Sequence, residues 1–289
     1  MAKKRATLLA IILIGSVATL IWVTRSPNEP TYQNRPLHSW LKDLEMWDAN
    51  TNDKATARLA FQEMGTNAIP ILVKIIESGG PPIQRAILKV NRRQSLVKLP
   101  FGRPWNQTMA ATWALYAMGT NAKPALPALT NLLLHTNQLI PSAIVLAGIG
   151  SDAIPILLAA LTNQDWGIRH AVASGLAMAR SDADVIVPAL IARLQDNQRP
   201  VQWSAAYSLG ELHTNAELVV PALTNSFPSA DSLLRCSILV SLQQFGSQAT
   251  PAIPTIVSAL KDENADVRES AAWAFKQIDP DGATKAGVQ

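Results

Sequence analysis

A chain of 289 residues is long enough to bury a core, and a stock of Ala, Leu and Ile set against only 5 Phe and 3 Tyr favours helices with small aliphatic interiors over sheets. One cysteine, Cys236, excludes an intrachain disulfide, a cysteine-based zinc site and an iron–sulfur cluster. The net charge of +4 is not a uniform basicity: residues 1–23 carry +3, 24–77 carry −1, 78–151 carry +7 and 152–289 carry −5, so it resides in the first residues and in one acid-free stretch.

Residues 1–6 form a basic leader containing Lys3, Lys4 and Arg5. The following run, TLLAIILIGSVATLIWV over 7–23, is uncharged; at 1.5 Å per residue it spans about 26 Å, near the short limit for a hydrocarbon core. Trp22 suits a membrane interface, and the basic leader predicts a single-pass anchor, N-in and C-out, with the rest of the chain outside the cytoplasm. The alternative is a cleaved signal peptide, because Ser16-Val17-Ala18 has the small-x-small form of a cleavage site; the chain would then be secreted or periplasmic. A polar, proline-bearing linker follows over 24–36.

From residue 37 the pattern is helical. Residues 37–64 are expected to form a capping pair of helices, with Trp40 and Trp47, seven apart, on the buried stripe of the first. A phrase then recurs: GTNAIPILVKII at Gly65, GTNAKPALPALTNLL at Gly119, GSDAIPILLAAL at Gly150, SDADVIVPALIARL at Ser181, HTNAELVVPALTNSF at His213 and GSQATPAIPTIVSAL at Gly246. Its alanines are spaced by 54, 31, 30, 33 and 33, so one interval carries an insertion. Asn67, Asn121 and Asp152 are expected to cap a first helix, A, and Gly65, Gly119, Gly150 and Gly246 to close the helix before it. Pro70, Pro124 and Pro155 fall early in helix A, whereas Pro127, Pro188, Pro221 and Pro254 fall deeper and are expected to kink it.

A second helix, B, has its own register. Arg169, Gln202, Arg235 and Arg268 are spaced by 33, and the residues at −1, +3, +7 and +10 from each are apolar. That spacing draws one stripe along a helix, facing a core. In the last copy, ATPAIPTIVSALKDENADVRESAAWAFKQI, Pro254, Asp262, Val267 and Arg268 stand where the HEAT-repeat family, including the bacterial HEAT-like repeats named after phycobilisome lyases, has its proline, aspartate and Val-Arg. The resemblance covers roughly residues 52–280; the segment YQNRPLHSWLKDL before it resembles the lead-in helix of membrane-anchored HEAT proteins.

The resemblance implies an all-α fold: an α-solenoid of about seven HEAT-type helix pairs after a single N-terminal transmembrane helix, with six repeats over 65–278 and a disordered tail over 279–289. It also implies a ladder of structural Asp–Arg contacts between neighbouring repeats, drawn from Asp165, Arg169, Asp231, Arg235, Asp262 and Arg268 and interrupted where Gln202 replaces the arginine.

The insertion, 79–106, carries Arg85, Lys89, Arg92, Arg93, Lys98, Arg103 and Trp105 without an acid. These are candidate contacts for an anionic partner, a lipid headgroup or polymer; the other reading is a solvated loop whose charges keep it soluble. An array outside the cytoplasm disfavours nucleic acid. Trp113, Trp203 and Trp273 lie in B helices and Trp166 just before one; inter-repeat packing is expected of them, with the lining of a concave surface as the other reading, and Cys236 is expected to be a buried thiol.

His38, His135, His170 and His213 form no ligand pair at helical spacing, and no nucleophile elbow, dinucleotide fingerprint or Walker loop occurs, so no catalytic, cofactor or metal residue is assigned. The expected function is a membrane-tethered, non-catalytic scaffold for protein partners whose identity the sequence leaves open. The alternatives are a HEAT-class enzyme or accessory, lyase-like or DNA-glycosylase-like, and binding of anionic lipid or polymer through the insertion.

Overall fold

The structure of the protein is a computed structural model that describes residues 29–45, 51–79, 104–179 and 181–288, with the backbone alone described at 45, 51 and 104–106. The expected membrane span at 7–23 lies outside these residues, as does Trp47; among the described residues no helix is long and apolar enough to cross a membrane.

A two-residue antiparallel pair, β1 (Thr31–Tyr32) and β2 (Arg35–Pro36), opens the described chain, and everything after it is helical. Helices α1 (Leu37–Glu45) and α2 (Thr51–Met64) cover the first end of the array. Arg35 secures this end, pairing with Asp43 at 2.8 Å and lying 4.1 Å over the ring of buried Trp40. Six helix pairs follow among the described residues: α3 (Ile69–Ser78) with α4 (Pro104–Met118), α5 (Leu126–His135) with α6 (Leu139–Ile149), α7 (Ile154–Ala160) with α8 (Trp166–Leu176), α9 (Ala183–Arg193) with α10 (Arg199–Leu212), α11 (Ala216–Ser226) with α12 (Ser232–Gln244), and α13 (Ile253–Ala259) with α14 (Ala265–Ile278). Each pair contacts its neighbours, so the core runs as one ribbon between an A layer and a B layer.

The B stripe is buried as its period requires. Val172, Leu176, Val201, Ala205, Leu209, Ile238, Leu242, Val267 and Ala271 are fully enclosed, and Ile168, Leu234, Phe275 and Ile278 nearly so. The A helices begin differently from the expectation. Gly65–Ala68, Gly119–Ala125 and Gly246–Ala252 are 3₁₀ turns, and the α-helices start only at Ile69, Leu126 and Ile253. Pro127 and Pro254 thereby stand in the first turn of α5 and α13, where a missing N–H costs no intrahelical bond, so neither kinks a helix interior. Pro188 and Pro221 remain inside α9 and α11.

Asn67, Asn121 and Asp152 do not cap: the capping positions are Ala68, Ala125 and Ala153, without a side-chain cap bond, and Asp152 instead pairs with Lys123 at 2.9 Å. The 3₁₀ turn supplies the backbone bonds that a capping side chain would otherwise provide. Gly65, Gly119 and Gly246 take the left-handed conformation at φ 59°, 56° and 52°; in the repeats without such a glycine, Asp182, His213 and Asn215 take it instead.

The B helices approach one another closely because the residues between them are small. A Cβ on Gly175 would lie 2.7 Å from the backbone of Ala143, and one on Gly210 would lie 2.7 Å from Cα of Ser241. Two serines 33 residues apart add hydrogen bonds across the same seam: Ser208 Oγ donates to Ala173 O and Ser241 Oγ to Ala206 O, each at 2.7 Å. Successive B helices make the more extensive contact from repeat to repeat, and the solvent-facing side of their layer is here the inner face. Ser208→Ala and Ser241→Ala are each expected to lower stability by about 1 kcal/mol in urea unfolding, the net value of one buried hydrogen bond.

Helix α6 is the exception along this layer. Its sequence is apolar all round and every residue from Pro141 to Ile149 is buried. Tyr116 of α4 crosses it at Gly148, where a Cβ would meet the Tyr116 ring at 2.3 Å, and donates its hydroxyl hydrogen to Met178 O at 3.0 Å, just past α8.

The tail expected to be disordered from 279 instead carries a further helix, α15 (Pro280–Lys285). Asp279 caps it by accepting from the Gly282 N–H at 2.9 Å, Pro280 fixes its first residue, and Ala283 is buried against the array.

Candidate protein-interaction surface

Of the residues expected to contact an anionic partner, Arg85, Lys89, Arg92, Arg93, Lys98 and Arg103 lie outside the described residues, and Trp105 stands in the first turn of α4 with its side chain undescribed. The structural ladder is within view and joins neighbouring repeats, without Asp165 and Asp231. Asp165 and Asp231 do not pair with the arginines four residues later. They cap the B helices, Asp165 accepting from the Gly167 N–H at 2.7 Å and Asp231 from the Leu234 N–H at 2.9 Å. Asn264 does the same in the last repeat.

The arginines reach forward into the next repeat. Arg169 donates from Nε and Nη2 to the two carboxylate oxygens of Asp196 at 2.8 and 2.7 Å, a bidentate pair in which the side chains are 9% and 3% exposed. Arg235 meets Asp262 at 2.8 Å. Both spans are 27 residues, one repeat less six, and Asp196 is a partner that spacing within a single repeat does not reveal.

Two groups of this ladder have shifted acidities. Burial opposes ionisation of Asp196, but hydrogen bonds from Arg169 and the Gln198 N–H, with the charges of Arg169 and Arg193, hold its carboxyl below the usual carboxylate range. The Arg169 guanidinium is correspondingly raised, mainly by its hydrogen bonds to Asp196. Where Gln202 replaces arginine, the position 27 residues on is Ser229, so both partners are absent together. Gln202 still makes the arginine's other contact, with its Nε2 donating to Asp196 O at 2.6 Å, as Arg169 donates to Asn163 O and Arg268 to Asp262 O, each six residues back. Arg268 bonds to its own turn, at Asp262 O and Glu263 O.

With these arginines engaged in holding repeats together, the inner face of the B layer is left to other side chains. Trp166, Trp203 and Trp273 are 46%, 45% and 57% exposed, which overturns the expectation of inter-repeat packing for them. They lie beside the buried stripe, and among the described residues no third layer covers them. Trp166 and His170 have ring centres 6.5 Å apart, His170 and Trp203 likewise 6.5 Å, and Trp203 stacks on Tyr207 at 6.1 Å and 18°. The row thus runs from α8 onto α10. Tyr207, Val240 and Trp273, spaced by 33, carry it across α12 to α14, and Cys236, half-buried rather than enclosed, lies on the same side because it occupies the register of His170 and Trp203.

Polar contacts fix this surface. His170 Nδ1 lies 3.1 Å from Pro200 O and 2.7 Å from Ser204 Oγ, contacts that hold the ring between the two tryptophans. Ser174 Oγ donates to Ser204 Oγ at 3.0 Å. Burial, and after it the charge and hydrogen bond of Glu211, push the Tyr207 phenol above its ordinary value. Among the described residues the concavities are open troughs at the turns between repeats, and no group of three or more His, Cys, Asp or Glu could hold a metal ion.

Three family models match separate parts of the chain: HEAT repeats over residues 140–210, a HEAT repeat over 252–281, and a PBS lyase HEAT-like repeat over 109–135. No curated protein matches it. Solved structures of engineered proteins are similar at low identity. One is 18% identical over 84% of this chain and 96% of its own, with a TM-score of 0.43. A second is 19% identical over 84% and 98%, also at 0.43, and a third 19% identical over 84% and 78% at 0.41.

Proposed function

Taking the chain as a HEAT-repeat protein, we propose that it is a non-catalytic scaffold that holds protein partners on the inner face of its B helices, tethered through residues 7–23 to a bacterial cytoplasmic membrane with the array outside the cytoplasm. The observation that carries this reading is the exposed aromatic row of Trp166, Trp203, Tyr207 and Trp273 on an otherwise well-packed array. Large aromatic side chains supply much contact area at little cost in conformational entropy, and exposed apolar rows rimmed by polar groups mark interaction surfaces. A stack that buries its core between neighbours also leaves a long continuous face for a partner.

Photo-crosslinking in the native cell, with the crosslinker placed in turn at Trp203, Trp273 and the outer-layer residue Leu218, tests the reading. Partner proteins are expected to crosslink from positions 203 and 273 and not from 218. Crosslinks from 218 alone, or none from the B face, overturn it. Reporter fusions at the C-terminus test the location: activity of a reporter that works only in the cytoplasm would place the array inside the cell and remove the exported arrangement.

A further inference from the structure

The ends of the aromatic row are charged in a particular way. Glu211 follows Tyr207 by four residues on α10, and Glu269 precedes Trp273 by four on α14, so each outer ring has a carboxylate one turn away on the same helix face. Glu211 is close enough to hydrogen-bond the Tyr207 hydroxyl and to perturb its acidity; Glu269 is exposed, as is Trp273.

The arginines of the B layer are committed to other partners. Arg169 and Arg235 bind Asp196 and Asp262, Arg199 meets Asp231 at 3.3 Å, and Arg268 bonds to the carbonyls of its own turn. Residues 152–289 carry −5 overall. An exposed ring beside a carboxylate is a site for a cation: the ring face attracts it through its quadrupole and the carboxylate through its charge.

We propose that the inner face between α10 and α14 binds an extended, cationic peptide segment of a partner protein, with one Lys or Arg at Tyr207 and Glu211, a second at Trp273 and Glu269, and an apolar residue on Val240 between them. This rests on the scaffold reading above and names the chemistry of its partner. The spacing follows from the fold. Two interaxial steps of 8–10 Å separate α10 from α14, so the sites are about 18 Å apart, or about five to six residues of extended chain. The two basic residues are therefore expected at i and i+5 or i+6, with Trp203 and Trp166 continuing the contact beyond the first.

Fluorescence anisotropy of labelled twelve-residue peptides against the full-length chain in detergent solution tests this. Peptides with two lysines six apart around a central Leu are expected to bind; versions with Gln for Lys, or with the lysines two apart, are expected to bind at least about tenfold more weakly. Tyr207→Ala and Trp273→Ala should each weaken the lysine peptide by about tenfold, Glu211→Gln and Glu269→Gln by several fold, and Leu218→Ala on the outer layer not at all. The substituted side chains are partly exposed, and unchanged melting curves establish that the variants fold.

Equal binding of the Lys and Gln peptides, or wild-type affinity in Trp273→Ala and Glu269→Gln, overturns the proposal. So does binding to vesicles of phosphatidylcholine and phosphatidylglycerol that is lost in the same variants while no peptide binds, which would make the face a membrane contact. If partner crosslinks from positions 203 and 273 persist while the lysine peptides fail, the cationic partner is wrong and the scaffold stands. If the crosslinks are absent too, both fall.

Discussion

Asp196→Ala is expected to destabilise the array by about 3–5 kcal/mol, because it leaves the guanidinium of Arg169, itself nearly enclosed, without its bidentate partner. Asp196 also accepts from the Gln198 N–H at 3.0 Å, so the turn into α10 loses its anchor in the same step. Replacing both members with apolar residues, Arg169→Met with Asp196→Leu, is expected to recover the part of the loss that comes from the unpaired charge, while the lost anchor of the Gln198 N–H remains. Urea unfolding of the single and double variants measures both effects. The acid dependence has a definite sign. The Asp196 carboxyl is held below its unfolded value of about 3.9, so its contribution is complete above that pH and disappears as pH falls through the folded value. The gap between wild type and Asp196→Ala should be constant between about pH 5 and 8 and should narrow below about pH 4; an unchanged gap at low pH would mean that the pair does not supply this stability.

Gly210→Val is expected to cost about 3 kcal/mol or more, by a different route. Its Cβ would meet Cα, Cβ and Oγ of Ser241 at 2.7–2.8 Å, and the backbone of a packed helix cannot move aside without opening the seam between α10 and α12. Gly175→Val should behave alike against Ala143. Gly246→Ala is the contrasting case: nothing lies within 4 Å of its Cβ position, and only its φ of 52° opposes a side chain, at about 1–2 kcal/mol. A shift in unfolding midpoint that is no larger for Gly210→Val than for Gly246→Ala would show that the B helices have room to part.

The helical stack was legible because burial follows a fixed angle around a helix. Once Arg169, Gln202, Arg235 and Arg268 set the register, the buried faces from Ile168 to Ile278 followed, and every residue of the stripe lies in the core or against it. The partner of Arg169 did not follow, because two kinds of acidic position lie close together in the turn. Asp165 and Asp231 stand four residues before the arginine and cap the helix; Asp196 and Asp262 stand six before the arginine position of their own repeat and receive the previous repeat's arginine. Spacing along one helix cannot tell them apart, since the second kind acts between repeats. A matched count across the array could have, because Arg169 and Arg235 have Asp 27 residues on whereas Gln202 has Ser229.

The exposed tryptophans were misread for a related reason. Trp203 and Trp273 sit next to the stripe, where sequence gives the face but not whether another layer covers it. The tail helix, by contrast, had a readable start in Asp279-Pro280, a capping residue followed by a proline at the first helical position.

The missing link at Gln202 and Ser229 bears on how the array comes apart. A linear stack unfolds cooperatively only while each interface is strong enough to carry its neighbours with it, and a weak interface divides the chain into blocks that open separately. Helices α7 to α10 are joined by Arg169 and Asp196, and α11 to α14 by Arg235 and Asp262. Between the blocks the ion pair is Arg199 with Asp231, about half exposed on both sides, a contact worth at most about 1 kcal/mol. The missing link falls between α10 and α12, directly beneath the path from Tyr207 to Trp273, where the close approach of Gly210 to Ser241 and the hydrogen bond from Ser241 to Ala206 O hold the seam instead. The face that would seat a partner therefore crosses a seam held by close packing and hydrogen bonds rather than by a buried ion pair, and whatever binds along it adds to that hold.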